Sequence, residues 1–294
     1  MNATGVIVSV SLVVSAVLAC WATESAGSAS PPTMPSTAAS SAPAKDLSKG
    51  GTVLLLGDSI LDIHKGDQRI EAAMTRLLSQ RAPKAAWTIR NQAHGGEFIG
   101  PKEGAPAGVS LSLFDSGTTG RYFDIVKRVP RADVIVLNYG ANDGKVYSPE
   151  SFGKKLDSLC RQLEQQYPGA TLILCTGMYL DPKHCAPYNL GKPMVPGWKN
   201  GSSRNSYLEP FNDQTRKVAA DHGYRLADTC RRIKQETEQG NWDWRVRGDG
   251  AGDPKDDPKH EGDLAWFDNI HPNIKCTELL AGVVVDALLE SSRP

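Results

Sequence analysis

Three stretches of this chain are apolar at nearly every position: "TVLLLGD" at 52–58, "ADVIVLNYG" at 132–140 and "ATLILCTG" at 170–177. Strands buried on both faces read this way, and such strands belong to parallel sheets covered by helices. Two further strands are weaker, the alternating "AWTIRNQ" at 86–92 and the short "GYRLAD" at 223–228. Helical spacing lies between them. Ile70, Ala73, Met74, Leu77 and Leu78 share one face, and that helix ends near Pro83. Phe152, Leu156, Leu159 and Leu163 share another, behind Ser148 as N-cap and Pro149 as first helical residue. A helix is expected from about Leu208 to His222, and a last one whose apolar face runs from Cys276 to Leu288. Strands alternating with helices imply an α/β fold, a parallel sheet with right-handed crossovers and helices on both faces. Ligands of such sheets bind outside the carboxyl ends of the strands.

The N-terminus has a different character. Residues 5–19, "GVIVSVSLVVSAVLA", are apolar and uncharged. The run is short for a membrane span, which needs about 20 residues, and suits the apolar region of a signal peptide. "VLAC" at 17–20 resembles a bacterial lipobox with Cys20 as the lipidated residue. Cleavage after another small residue, or an uncleaved anchor that includes Trp21 and Ala22, are the alternatives. Residues 22–48 are rich in Ser, Ala, Pro and Thr, a composition that stays unfolded and serves as a tether. The expected organisation is a signal peptide or lipoprotein signal over 1–21, a disordered linker over 22–48 and a folded domain over 49–294. The protein is then exported: secreted, periplasmic or held at a membrane through Cys20.

Lys plus Arg and Asp plus Glu both total 33. That balance gives no electrostatic case for a nucleic-acid partner. Beyond Cys20 there are Cys160, Cys175, Cys185, Cys230 and Cys276. An odd number leaves at least one thiol free, and the apolar contexts of Cys175 and Cys276 mark them as core thiols. No CxxC or HxxxH spacing suggests a zinc site, and no metal or other cofactor is expected.

Four short blocks carry the chemistry: Gly57-Asp58-Ser59, "NQAHGGE" at 91–97, "GAND" at 140–143 and "DNIHPN" at 268–273. Each stands at a strand end or a helix entry. A serine hydroxyl is a poor nucleophile at neutral pH and needs an adjacent base, for which His271 is the candidate. Such a histidine needs a partner on its other ring nitrogen, and Asp268 lies three residues earlier. In order and position the blocks resemble those of the SGNH hydrolases, the GDSL-like esterases and lipases, over about residues 52–290. Ile60 stands where the family's name has leucine.

The resemblance implies a three-layer α/β/α sandwich with a parallel, flavodoxin-like five-stranded sheet. It also implies a catalytic set of Ser59, Asp268 and His271. The oxyanion hole would be the backbone N–H of Ser59, the backbone N–H of Gly96 and the side-chain amide of Asn142. Asn91 stands five residues before Gly96, but Ala93 fills the family's intermediate glycine position, so Gly95 is an alternative donor. Asp143 and His94 are read as structural, and Asp58 and Asp62 as hydrogen-bonding loop residues. An acyl-serine intermediate follows, on a small-molecule or glycan ester.

Three long segments, 97–131, 178–207 and 231–267, interrupt the alternation on the side of these blocks, and long ordered loops are usually functional. They carry Tyr179, Tyr188, Trp198, Trp242, Trp244 and Trp266, which could stack on sugar rings or pack the loops onto the sheet. Residues 248–263, "GDGAGDPKDDPKHEGD", are acidic but fit no standard calcium cage. The expected activity is an exported serine esterase that removes acyl groups, acetyl among them, from carbohydrate. The alternatives are a lysophospholipase or short-chain lipase, an O-acyltransferase using the same site, and a polysaccharide-binding module on a decayed hydrolase fold. Oligomeric state is left open.

Overall fold

A computed structural model of the chain describes residues 46–63, 66–100, 111–113, 121–180, 195–199, 201–241, 270–272 and 274–290. Its centre is a five-stranded sheet built from β1 (Gly50–Gly57), β2 (Ala86–Asn91), β5 (Val134–Asn138), β6 (Thr171–Cys175) and β7 (Arg225–Ala227). The strand order is β2-β1-β5-β6-β7 and every pairing is parallel. This is the flavodoxin-like order, with its switch point between β1 and β5.

Burial follows from position in the sheet. Val53 to Leu56 of β1 and Val134 to Leu137 of β5 are buried, as two-sided covering requires. Each such side chain removed from water contributes on the order of 2 kcal/mol of transfer free energy. β2 is one of the two edge strands and alternates exposed with half-buried residues, Trp87 and Ile89 facing the core.

The crossovers place the helices. Helix α2 (Ile70–Arg81) carries the chain from β1 to β2, and α7 (Ile274–Leu289) packs against it on the same face. Helices α4 (Pro149–Gln166) and α5 (Arg204–His222) join parallel strands that step across the sheet in the opposite direction to the β1-to-β2 step, so right-handed crossovers put them on the opposite face, where they pack together. Ser148 caps α4 by accepting the Ser151 N–H at 3.3 Å, with Pro149 in the first turn. Gly223 ends α5 in the left-handed region at φ +68°.

The long segments hold more regular structure than the apolar pattern announces. A parallel pair of short strands, β3 (Glu97–Phe98) and β4 (Leu111–Ser112), and helix α3 (Arg121–Arg128) lie within 97–131. Helix α6 (Thr229–Glu238) runs into 231–267. Both helices bury few side chains, Tyr122 and Ile125 in α3 and Thr229, Cys230 and Ile233 in α6, so their stripes are too narrow to stand out in sequence.

Trp198 is a core residue and not a sugar platform. It is 9% exposed, its ring meets Tyr207 edge-on at 5.0 Å, and its Nε1 donates to Ser206 Oγ at 3.2 Å. Cys160, Cys175, Cys230 and Cys276 are all buried. Cys20, Cys185, Tyr188, Trp242, Trp244, Trp266 and Asp268 lie outside the described residues.

Candidate active site

β1 ends at a contact only glycine permits. A Cβ on Gly57 would lie 2.6 Å from the Asn138 carbonyl oxygen on the neighbouring strand. The chain then turns through Asp58 into the single-turn helix α1 (Ser59–Asp62). Asp58 is its N-cap, and Oδ1 accepts the Ile60 N–H at 3.0 Å. Ser59 is therefore a first-turn residue, whose backbone N–H belongs to the set that no intrahelical carbonyl can satisfy.

His271 arrives from 212 residues away in sequence, and its Nε2 lies 2.8 Å from Ser59 Oγ. With Nε2 unprotonated, the serine hydroxyl donates to it. Ile270, packed against the core, and Pro272 hold the histidine just ahead of α7. Asp268 lies outside the described residues, so its distance to the Nδ1 atom of His271 is not part of this geometry.

The segment after β2 runs alongside the end of β1. Gln92 N–H donates to Leu55 O at 2.9 Å and His94 N–H to Gly57 O at 3.0 Å. A turn follows, closed by Glu97 N–H donating to His94 O at 3.1 Å, with Gly96 at φ +79°. Gly95 also borders the serine, since a Cβ there would stand 3.9 Å from Ser59 Cβ. Asn91 supports this corner, donating to Leu61 O at 2.8 Å and Glu71 Oε2 at 2.9 Å while its Oδ1 accepts the Ala93 N–H. The His94 ring bonds locally, Nδ1 donating to Gly95 O at 2.9 Å.

Asn142, buried, sits in the turn after β5. Its Nδ2 donates to Glu97 O at 3.2 Å and approaches Asp58 Oδ2 at 3.4 Å, between the neighbours of Ser59 and Gly96. Asp143 accepts the Ile99 N–H at 2.9 Å and the Gly140 N–H at 3.1 Å, pinning the second block to the third. Asp62 lies 3.8 Å from Arg69.

Sequence reading missed the ionic support under this rim. Glu97 is fully buried, paired to Arg121 Nε at 2.8 Å and accepting from Tyr139 OH at 3.3 Å. The only sequence signal was an acid beside the glycine pair, which looks like an ordinary surface turn. Burial pushes the carboxyls of Asp58 and Asp143 up to about 7, helped by the Glu97 charge at both and by Asp143 at Asp58. Burial also raises Glu97, with Arg121 opposing.

The folded state therefore binds more protons than the unfolded chain between pH about 4 and about 7, where the unfolded acids are already ionised. Stability contributed by these groups should fall as pH rises through that window and level off above it. Melting temperatures at pH 5 and 7.5 should differ in that sense, and Asp58→Asn should shrink the difference. An unchanged difference would remove Asp58 as a cause.

Two hollows border the rim. One is a narrow apolar cavity of about 10 Å³ lined by Ile60, Ala141, Met178, Leu208, Phe211 and Ile270, the immediate neighbours of Ser59, Asn142 and His271 among them. It has the room of a single small group. The other is a polar cleft of about 540 Å³ between Tyr179, Glu209, Arg216 and Arg231, beyond the carboxyl ends of β6 and β7. Among the described residues no group of three or more His, Cys, Asp or Glu side chains is arranged to hold a metal ion.

A parallel three-layer fold with the first three blocks after the carboxyl ends of its strands, and His271 of the fourth brought against Ser59, defines an SGNH-class hydrolase. The model of the GDSL-like Lipase/Acylhydrolase family matches residues 55–276, and the chain belongs to that family. It is a serine hydrolase acting on carboxylic ester bonds. Solved structures share the fold at low identity. An acetyl xylan esterase, AlAXEase, is 16% identical with a TM-score of 0.53, over 81% of this chain and 99% of that one. Axe2, an acetylxylan esterase from Geobacillus stearothermophilus, is 16% identical with a TM-score of 0.52, over 81% and 94%. LAE5, an alpha/beta hydrolase from the metagenome of Lake Arreo, is 18% identical with a TM-score of 0.51, over 82% and 94%. No curated protein matches the chain.

Proposed function

We propose that Ser59 is the nucleophile, His271 the general base and Asp268 its orienting acid, in an exported esterase that removes acetyl groups from carbohydrate. The observation that carries the chemistry is the 2.8 Å approach of His271 Nε2 to Ser59 Oγ. Oγ attacks the ester carbonyl as its proton passes to Nε2. The carbonyl oxygen takes up the charge against the N–H of Ser59, the N–H of Gly96 and Nδ2 of Asn142. Collapse expels the alcohol, which leaves with the proton from His271. Water, deprotonated by the same imidazole, then releases the acid from the acyl-serine.

The small cavity beside Ile60 and Ile270 supports a short acyl group, and the polar cleft supports a hydrophilic alcohol. Two similar folds belong to esterases that act on acetylated xylan, which agrees with this reading. The apolar residues 5–19 and the Ser/Ala/Pro/Thr-rich residues 22–48 support export, with Cys20 as a membrane tether.

A series of p-nitrophenyl esters tests the acyl preference. kcat/KM should be highest for acetate and fall by about tenfold or more by butyrate, since each misplaced methylene costs about 1–3 kcal/mol. Acetylated glycans should release acetate in parallel. A preference for octanoate would replace the deacetylase with a lipase.

A further inference from the structure

Asn142 can serve as an oxyanion donor only if its amide faces the right way, and its neighbours decide that. The two ends of an asparagine amide are nearly isosteric, so orientation depends on the hydrogen-bond partners. Glu97 O, an acceptor only, takes Nδ2 at 3.2 Å, and Asp58 Oδ2 stands 3.4 Å from the same nitrogen, the longer contact that an oxyanion would displace. Lys145 Nζ, a donor only, takes Oδ1 at 3.0 Å. The residue reaches Oδ1 because the chain from Asn142 to Lys145 is one 3₁₀ turn, closed by Lys145 N–H donating to Asn142 O at 3.0 Å. Residues three apart eclipse in such a turn, so the ammonium folds back over the amide.

The electrostatics of the corner give the cation a second task. Asp58, Glu97 and Asp143 are all buried around Asn142, a poor place for an oxyanion to form. Arg121 is engaged by Glu97. The ammonium on Oδ1 is the cation bonded directly to the amide. A charged partner on Oδ1 draws electron density along the amide and strengthens N–H donation at the other end. The Lys145 charge is also felt by Asp58, and burial together with Arg204 works against it.

We propose that Lys145 is a positioning residue of the ester-cleaving site, fixing the Asn142 amide with Nδ2 towards the oxyanion and polarising it for that role. This rests on the reading of Asn142 as an oxyanion donor. Lys145 acts through Asn142 and does not touch the substrate, so it should change turnover more than substrate binding.

The test is a double-mutant cycle with p-nitrophenyl acetate. Asn142→Ala should lower kcat by about 10²–10³. Lys145→Met should lower kcat by about tenfold with KM and melting temperature near wild type, since part of one donor's contribution is lost. Lys145→Arg, which keeps a donor-only cation, should recover most of the rate, and Lys145→Gln should recover less. In the Asn142→Ala background Lys145→Met should cost nothing more, because the two act as one unit. Wild-type kcat in Lys145→Met with an impaired Asn142→Ala would overturn the positioning role alone. Losses that multiply in the double variant would do the same. Wild-type activity in Asn142→Ala would instead remove the oxyanion reading beneath it.

Discussion

Ser59→Ala should lose turnover of p-nitrophenyl acetate almost entirely, by about 10⁶ in kcat, while folding as the wild type does. The hydroxyl is half-buried and its observed partner is His271 Nε2, so removal leaves no deeply buried polar group unpaired. The helix start does not depend on it, because Asp58 supplies the cap. What disappears is the atom proposed to attack. Without it the remaining donors can only bind and polarise the ester, which in other triads still leaves a rate about 10³–10⁴ above water. A fluorophosphonate reports the same atom independently: it should label the wild type at Ser59 and leave the variant unmodified. An active Ser59→Ala enzyme would mean another nucleophile. A wild type inert to the probe would favour a binding module on a decayed hydrolase fold.

The parts of this protein that sequence made legible share a physical origin. The runs at 53–56 and 134–137 are continuous because central parallel strands are covered on both faces, and they form as expected. Ser148 and Pro149 mark a helix start because cap chemistry is local. Helices α3 and α6 were not visible, since each buries too few side chains to impose a period. The corner under the rim was hidden for another reason. Glu97 and Arg121 are 24 residues apart, and Asp58 meets Asn142 across 84, so no spacing rule connects them. A buried acid and a solvated turn acid have the same letter. Lys145 is hidden in the same way, since a lysine in a loop carries no sign in sequence of its contact with Asn142 Oδ1. Trp198 illustrates the converse: of the two readings open to an aromatic in a long segment, sugar stacking or packing, the ring takes the second, against Tyr207 and the core.

Asp268→Asn should depress kcat by about 10⁴ on the precedent of other triads, with KM changed far less. Ser59 occupies the Nε2 side of His271, so Nδ1 is the nitrogen left to be held by an acceptor. A carboxylate there keeps the proton on Nδ1, leaves Nε2 free to take the serine proton and stabilises the imidazolium that results. An asparagine amide can instead present N–H to Nδ1, which favours the tautomer protonated at Nε2, the wrong one for a base. The chain offers Asp268 for this task three residues before His271, ahead of the Pro272 that precedes α7. Kinetics on the purified variant, with fluorophosphonate labelling followed in time, distinguish the outcomes. Slow labelling with an intact melting curve would match the orienting role. Near wild-type kcat would assign Asp268 to the turn alone and require another acceptor for Nδ1.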